Sequence, residues 1–74
     1  MVHKLSIMNR TGHSVVTWDT EAEAAIAEAE RVFQEHRAKG YSAFKQEAGE
    51  MVGPIQDFDR EADEILLVPN IVGG

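Results

Sequence analysis

The sequence predicts an α+β domain: a four- or five-stranded sheet with one helix packed on one face. Short runs rich in β-branched and aromatic residues, 2–8 and 14–18, flank the turn cluster Asn9-Arg10-Thr11-Gly12 and read as a hairpin. The stretch 20–39 is rich in Ala and Glu and contains neither Pro nor Gly, so it reads as a helix. Near the C-terminal end Glu64-Ile65-Leu66-Leu67-Val68 is apolar on both faces, the pattern of a strand with neighbours on either side.

Each element has its own reason. In the first strand Leu5 and Ile7 share a face, and in the second Val16 and Trp18 do. Asp19 or Thr20 is placed to cap the helix, and Thr20 with Glu23 fits a capping box. Glu21 and Glu23 suit the positive end of the helix dipole. Ala22, Ile26, Ala29 and Phe33 recur at helical spacing, with Val32 beside them, and small alanines allow close approach to a sheet. Glu35 and Lys39 are spaced as an exposed i,i+4 pair, and Gly40 is a natural end to the helix. Residues 41–47 alternate as a third strand, with Ala43 on one face and Phe44 on the other. Residues 51–55 form at best an edge strand, because Gly53-Pro54 interrupts them. Residues 58–63 read as a turn or a single helical turn. The resulting order is strand, strand, helix, strand, weak strand, strand. The helix stripe can bury only against the sheet, and the order is that of a β-grasp with its last strand parallel to the first at the centre.

Composition narrows the function classes. A chain of 74 residues holds one domain, and such a chain buries only about 60% of the surface its unfolded form exposes. There is no cysteine to form a disulfide or a thiolate metal site, and 43% hydrophobic content supports a folded globule. Thirteen acidic residues against seven basic ones give a net charge of −6, which argues against nucleic acid and suits partners with basic surfaces. No signal peptide or membrane span is expected, and the protein is read as cytoplasmic. Asn9-Arg10-Thr11 matches a glycosylation sequon that has no force without a secretory route.

The run Asp63-Glu64-Ile65-Leu66-Leu67-Val68-Pro69-Asn70-Ile71-Val72-Gly73-Gly74 resembles the C-terminus of ubiquitin-like β-grasp proteins. It is similar to that of the bacterial sulfur carriers, the small subunit of molybdopterin synthase and the thiazole sulfur carrier. Asn70 stands where those carriers have a second proline, and the Ala/Glu-rich helix is longer, which leans toward ubiquitin-like modifiers of bacterial conjugation systems. The resemblance implies a β-grasp domain at 1–69 and a flexible tail at 70–74. It implies that Gly74 carries the carboxylate that an activating enzyme adenylates, and that it is then transferred to a thiol and to a target. Gly73, with no Cβ, lets the tail enter a narrow channel, and Pro69 stiffens the exit from the sheet. The resemblance implies that the catalyst is the partner, a ubiquitin-activating-type adenylating enzyme using ATP and magnesium, and that this chain is not itself an enzyme and binds no cofactor. A conjugating enzyme, an isopeptidase or a target protein would be further partners. Two alternatives stand beside the modifier: a sulfur carrier with a Gly74 thiocarboxylate for molybdopterin or thiamin synthesis, and a β-grasp binding module that is not conjugated.

Other candidates are weaker. His3, His13 and His36 are far apart in sequence and no pair has metal-ligand spacing. Asp57, Asp59, Glu61, Asp63 and Glu64 lack the order of a calcium loop and read as a solvated acidic turn. Trp18 is either core beneath the helix or a stacking platform. Leu66 and Val68 face away from the helix if Ile65 and Leu67 face it. They form either a half-exposed apolar pair or, with Pro69, Ile71 and Val72, a docking surface for the activating enzyme.

Overall fold

A computed structural model describes residues 2–9 and 12–69. The elements are β1 (Val2–Asn9), β2 (Gly12–Asp19), α1 (Glu23–Ala38), β3 (Ser42–Glu47), β4 (Glu50–Ile55) and β5 (Glu64–Val68). They form one mixed sheet in the order β2-β1-β5-β3-β4, with α1 across one face. This is the predicted β-grasp. Strand β5 pairs in parallel with β1 through Leu5↔Ile65 and Ile7↔Leu67, and antiparallel with β3 through Ala43↔Leu67. The doubly apolar strand is therefore the central one, as its pattern requires. Expected residues 70–74 of the tail lie outside the described residues.

Strand alternation divides the sheet into two faces. Leu5, Ile7, Trp18, Ala43, Ile65 and Leu67 point inward and are buried with Ile26, Ala29 and Phe33 of the helix. Phe58, from the segment before β5, closes the end of this core against Trp18 and edge-on to Phe33. No described helix is long and apolar enough to cross a membrane.

The helix starts later than the capping box predicts. Its first residue is Glu23, its N-cap is Ala22, and no side chain caps it. The Thr20 hydroxyl is taken by His3: Oγ1 lies 2.8 Å from Nε2 of that buried ring. On its other side the ring donates from Nδ1 to the Ala62 carbonyl at 2.7 Å, so a neutral ring accepts the Thr20 proton at Nε2. Asp19 meanwhile builds a turn, accepting from Glu21 N through its side chain and from Ala22 N through its carbonyl. A tertiary contact has outcompeted a local cap. Glu35 also differs from expectation: its carboxylate pairs with Arg31 rather than Lys39, and Arg31 binds Glu28 as well.

The β3–β4 turn places both Ala48 (φ 53°) and Gly49 (φ 81°) in the left-handed region, the requirement of a two-residue hairpin turn that follows the sheet twist. Ala48 is the unusual occupant, and the Asp63 carboxylate holds its N–H at 2.8 Å. Asp63 N in turn donates to Glu47, and Lys45 Nζ reaches Asp59 at 2.7 Å. The acidic segment is thus not simply solvated. Asp59 and Asp63 fasten the approach to β5 onto β3, while Asp57 and Glu61 are exposed.

The Lys45 ammonium, by hydrogen bonding, holds the Asp59 carboxyl below the usual carboxylate range, and Asp59 raises Lys45 in return. A depressed carboxylate stabilises the fold above its unfolded pKa of about 3.9, and that stability is lost as pH falls through the folded value. Acid unfolding of the wild-type chain should therefore be steeper below about pH 4 than that of Asp59→Asn. Melting curves across that range check this; identical acid limbs would remove the pair from the account.

Candidate functional site

Among the described residues no element covers the face opposite the helix. Its residues come from the other half of each strand alternation, and cross-strand register lines them up. Val15 pairs with Ser6, Ser6 with Leu66, Leu66 with Phe44, and Phe44 with Pro54. One row therefore crosses all five strands, apolar at every position but one. Val15 is 49% exposed, and Leu66 and Phe44 are half-buried. Met8 and Met51, at 41% and 53% exposure, widen the row toward its corners. Val68, half-buried opposite Ser42 of β3, extends it toward the end of β5, where Pro69 is also half-buried.

Ser6 is the polar exception, and it is buried. Its hydroxyl donates to Glu64 Oε2 at 2.8 Å, so the group is satisfied without facing solvent. Glu64 lies between Lys4 and Gln46 on its neighbouring strands, which makes the next row polar. An apolar stripe bordered by a charged and hydrogen-bonding row is the layout of a docking surface with a defined rim. Among the described residues there is no concave pocket, and no cluster of three or more His, Asp or Glu placed to hold a metal.

Comparison of the chain with protein-family models, with curated proteins and with solved structures finds no match.

The structure brings together Leu66, Val68 and Pro69 of the predicted partner surface, along the outer face and exit of the central strand. The other predicted site residues, Ile71, Val72, Gly73 and Gly74, lie outside the described residues. Sequence reasoning missed Phe44, Val15, Pro54 and Ser6 as members of the same row. Alternation did place Phe44 away from the helix. What alternation cannot tell is that β3 sits beside β5, since Phe44 and Leu66 are distant in sequence and meet only through tertiary pairing.

His3, His36 and Trp18 are accounted for inside the fold. His3 stacks on Trp18 with ring centroids 5.3 Å apart, and Trp18 Nε1 donates to the Arg60 carbonyl at 2.9 Å. Trp18 is core, 2% exposed. His36 donates from Nδ1 to the Val32 carbonyl at 2.8 Å, and its ring meets Tyr41 edge-on.

Proposed function

We propose that this chain is a bacterial ubiquitin-like protein modifier activated at the carboxylate of Gly74, whether that end is encoded or exposed by processing. The observation that supports this best is the position of β5. The strand leading to the diglycine is the central strand of a β-grasp sheet, and its outward residues Leu66 and Val68 belong to the uncovered apolar face. A partner docking on that face would hold the root of the tail and receive its end in one engagement.

The chemistry belongs to that partner, an adenylating enzyme of the cytoplasm that uses ATP and magnesium. The Gly74 carboxylate attacks the α-phosphorus of ATP, pyrophosphate leaves, and a mixed anhydride with AMP forms. A thiolate then attacks the activated carbonyl and AMP leaves. A target amine displaces the thiol, loses a proton and becomes an amide. No step needs a catalytic group or bound cofactor on this chain. Gly73 contributes slimness, Pro69 a stiff exit, and Ile71 with Val72 apolar contacts inside the partner's channel.

The run from Asp63 to Gly74 also supports the sulfur-carrier reading, in which a sulfur donor converts the same adenylate to a thiocarboxylate. Intact-mass analysis after incubation with the cognate adenylating enzyme and ATP, with and without a sulfur donor, separates the two. Adducts with other proteins are expected. A stable gain equal to sulfur replacing oxygen would favour the carrier. No change under any condition would leave a binding module.

Leu66→Asp tests the docking face. The new carboxylate would sit in the apolar row beside Phe44, on a half-buried surface where charge costs less than in the core. Affinity for the activating partner should fall tenfold or more, about 1.4 kcal/mol or above, with a smaller loss of fold stability. Binding and melting measured on one sample decide it; an equal loss of both would make Leu66 a structural residue only.

A further inference from the structure

The half-buried carboxylates of the described chain are Glu47, Asp59, Asp63 and Glu64. The first three are tied to the fold by a cation or a backbone N–H. Asp59 accepts from Lys45 Nζ and Glu61 N, Asp63 from Ala48 N, and Glu47 from Asp63 N. Glu64 has neither kind of tie. Its side-chain hydrogen bond comes from the neutral Ser6 hydroxyl, at 2.8 Å to Oε2. Among the described residues no cation pairs with it, and its register partner Lys4 is exposed. The inner strands β1, β5 and β3 place no other carboxylate on the outer face. Ser6 itself belongs to the apolar row, buried between Val15 and Leu66. Its hydroxyl draws the Glu64 carboxylate to the border of the apolar stripe. A side chain held there beforehand loses less freedom when a partner docks.

We infer that Glu64 is the anchor for a cationic side chain, arginine or lysine, on the partner that docks on this face. The inference rests on the docking proposed above and adds the chemistry of the docked surface: apolar opposite Leu66 and Phe44, positive opposite Glu64. An apolar surface laid over the stripe strips water from its border as well. The Glu64 charge then loses solvation, and a bond from a neutral hydroxyl does not compensate it. A cation on the partner does, through a charge-assisted hydrogen bond. A surface apolar throughout would leave the carboxylate desolvated and unpaired, so Glu64 also selects against such a surface. Ser6 is a positioning residue that acts only through Glu64.

ATP–pyrophosphate exchange by the cognate adenylating enzyme, with the full chain as the varied substrate, tests this. Glu64→Gln keeps an oxygen for the Ser6 hydroxyl, so the melting temperature should hold. Its KM should rise about tenfold with kcat little changed. Wild-type KM should increase with salt between about 0.05 and 0.5 M, and Glu64→Gln should flatten that dependence. Ser6→Ala should raise KM less, and should add nothing once Glu64 is Gln. Glu30→Gln removes the same charge from an exposed position on the helix and should change KM less than about twofold. Equal KM for the wild type and Glu64→Gln overturns the inference but leaves activation at Gly74 standing, because the chain is still a substrate. An equal rise in Glu64→Gln and Glu30→Gln also overturns it, since long-range attraction would then be the cause. Failure of the enzyme to activate the wild-type chain refutes the modifier reading itself, and this inference with it.

Discussion

Deleting Gly73 and Gly74 is expected to abolish ATP-dependent activation while leaving the melting temperature in place. The buried residues of the described chain run from His3 to Leu67, and the last strand ends at Val68, so the described core does not draw on the two glycines. Activation needs a carboxylate at the end of a chain slim enough to pass close to another backbone, which glycine alone allows without steric cost. One bulky residue added after Gly74 should have the same effect as the deletion. ATP–pyrophosphate exchange with the cognate enzyme measures activation, and thermal melting measures the fold. A truncated chain that still exchanges would make the diglycine a bystander and would favour the binding-module reading.

Trp18→Ala is expected to be the most damaging single truncation of the fold. Trp18 is among the largest fully buried side chains, stacks on His3, packs on Phe58 and ties down the Arg60 carbonyl through its indole N–H. Truncating a buried aromatic costs about 3–5 kcal/mol. Native stability is roughly 0.1 kcal/mol per residue, so that loss removes about half of the stability of a domain this small. Trp18→Phe keeps most of the volume and loses the indole donor, leaving a carbonyl unpaired for about 1–3 kcal/mol. Urea denaturation of the three proteins should place them in the order wild type, Phe, Ala. A loss below about 1.5 kcal/mol for the alanine variant would mean that the core collapses around the gap.

Much of the architecture was legible because it rests on local chemistry repeated along the chain. The period of the apolar residues placed Ile26, Ala29 and Phe33 on one side of a helix, and Leu5, Ile7, Ile65 and Leu67 on one side of their strands. Pro54 and Gly53 marked the edge strand, and Gly40, at φ 95°, marked the end of the helix. The helix start was misread because Thr20 has two possible hydrogen-bond partners: a backbone N–H three residues on, or an imidazole 17 residues back. The local rule sees only the first. The ion pair of Asp59 with Lys45 and the hydrogen bond from Ala48 N–H to Asp63 were missed for the same reason, since Lys45 and the β3–β4 turn reach these carboxylates only through the fold.

By itself the sequence determined which segments are helical or extended, which side of each faces the core, and that the last strand runs on into Pro69 and the diglycine motif. Those properties depend on the period of the backbone and on the stereochemistry of single residues, both written within a few positions. Tertiary structure alone decided that Val15, Ser6, Leu66, Phe44 and Pro54 form one row, that His3 takes the hydroxyl expected to cap the helix, and that β2 and β4 are the edges of the sheet. Each of these depends on which strands become neighbours, and that choice is made by the burial of the whole core at once rather than by any local stretch of chain.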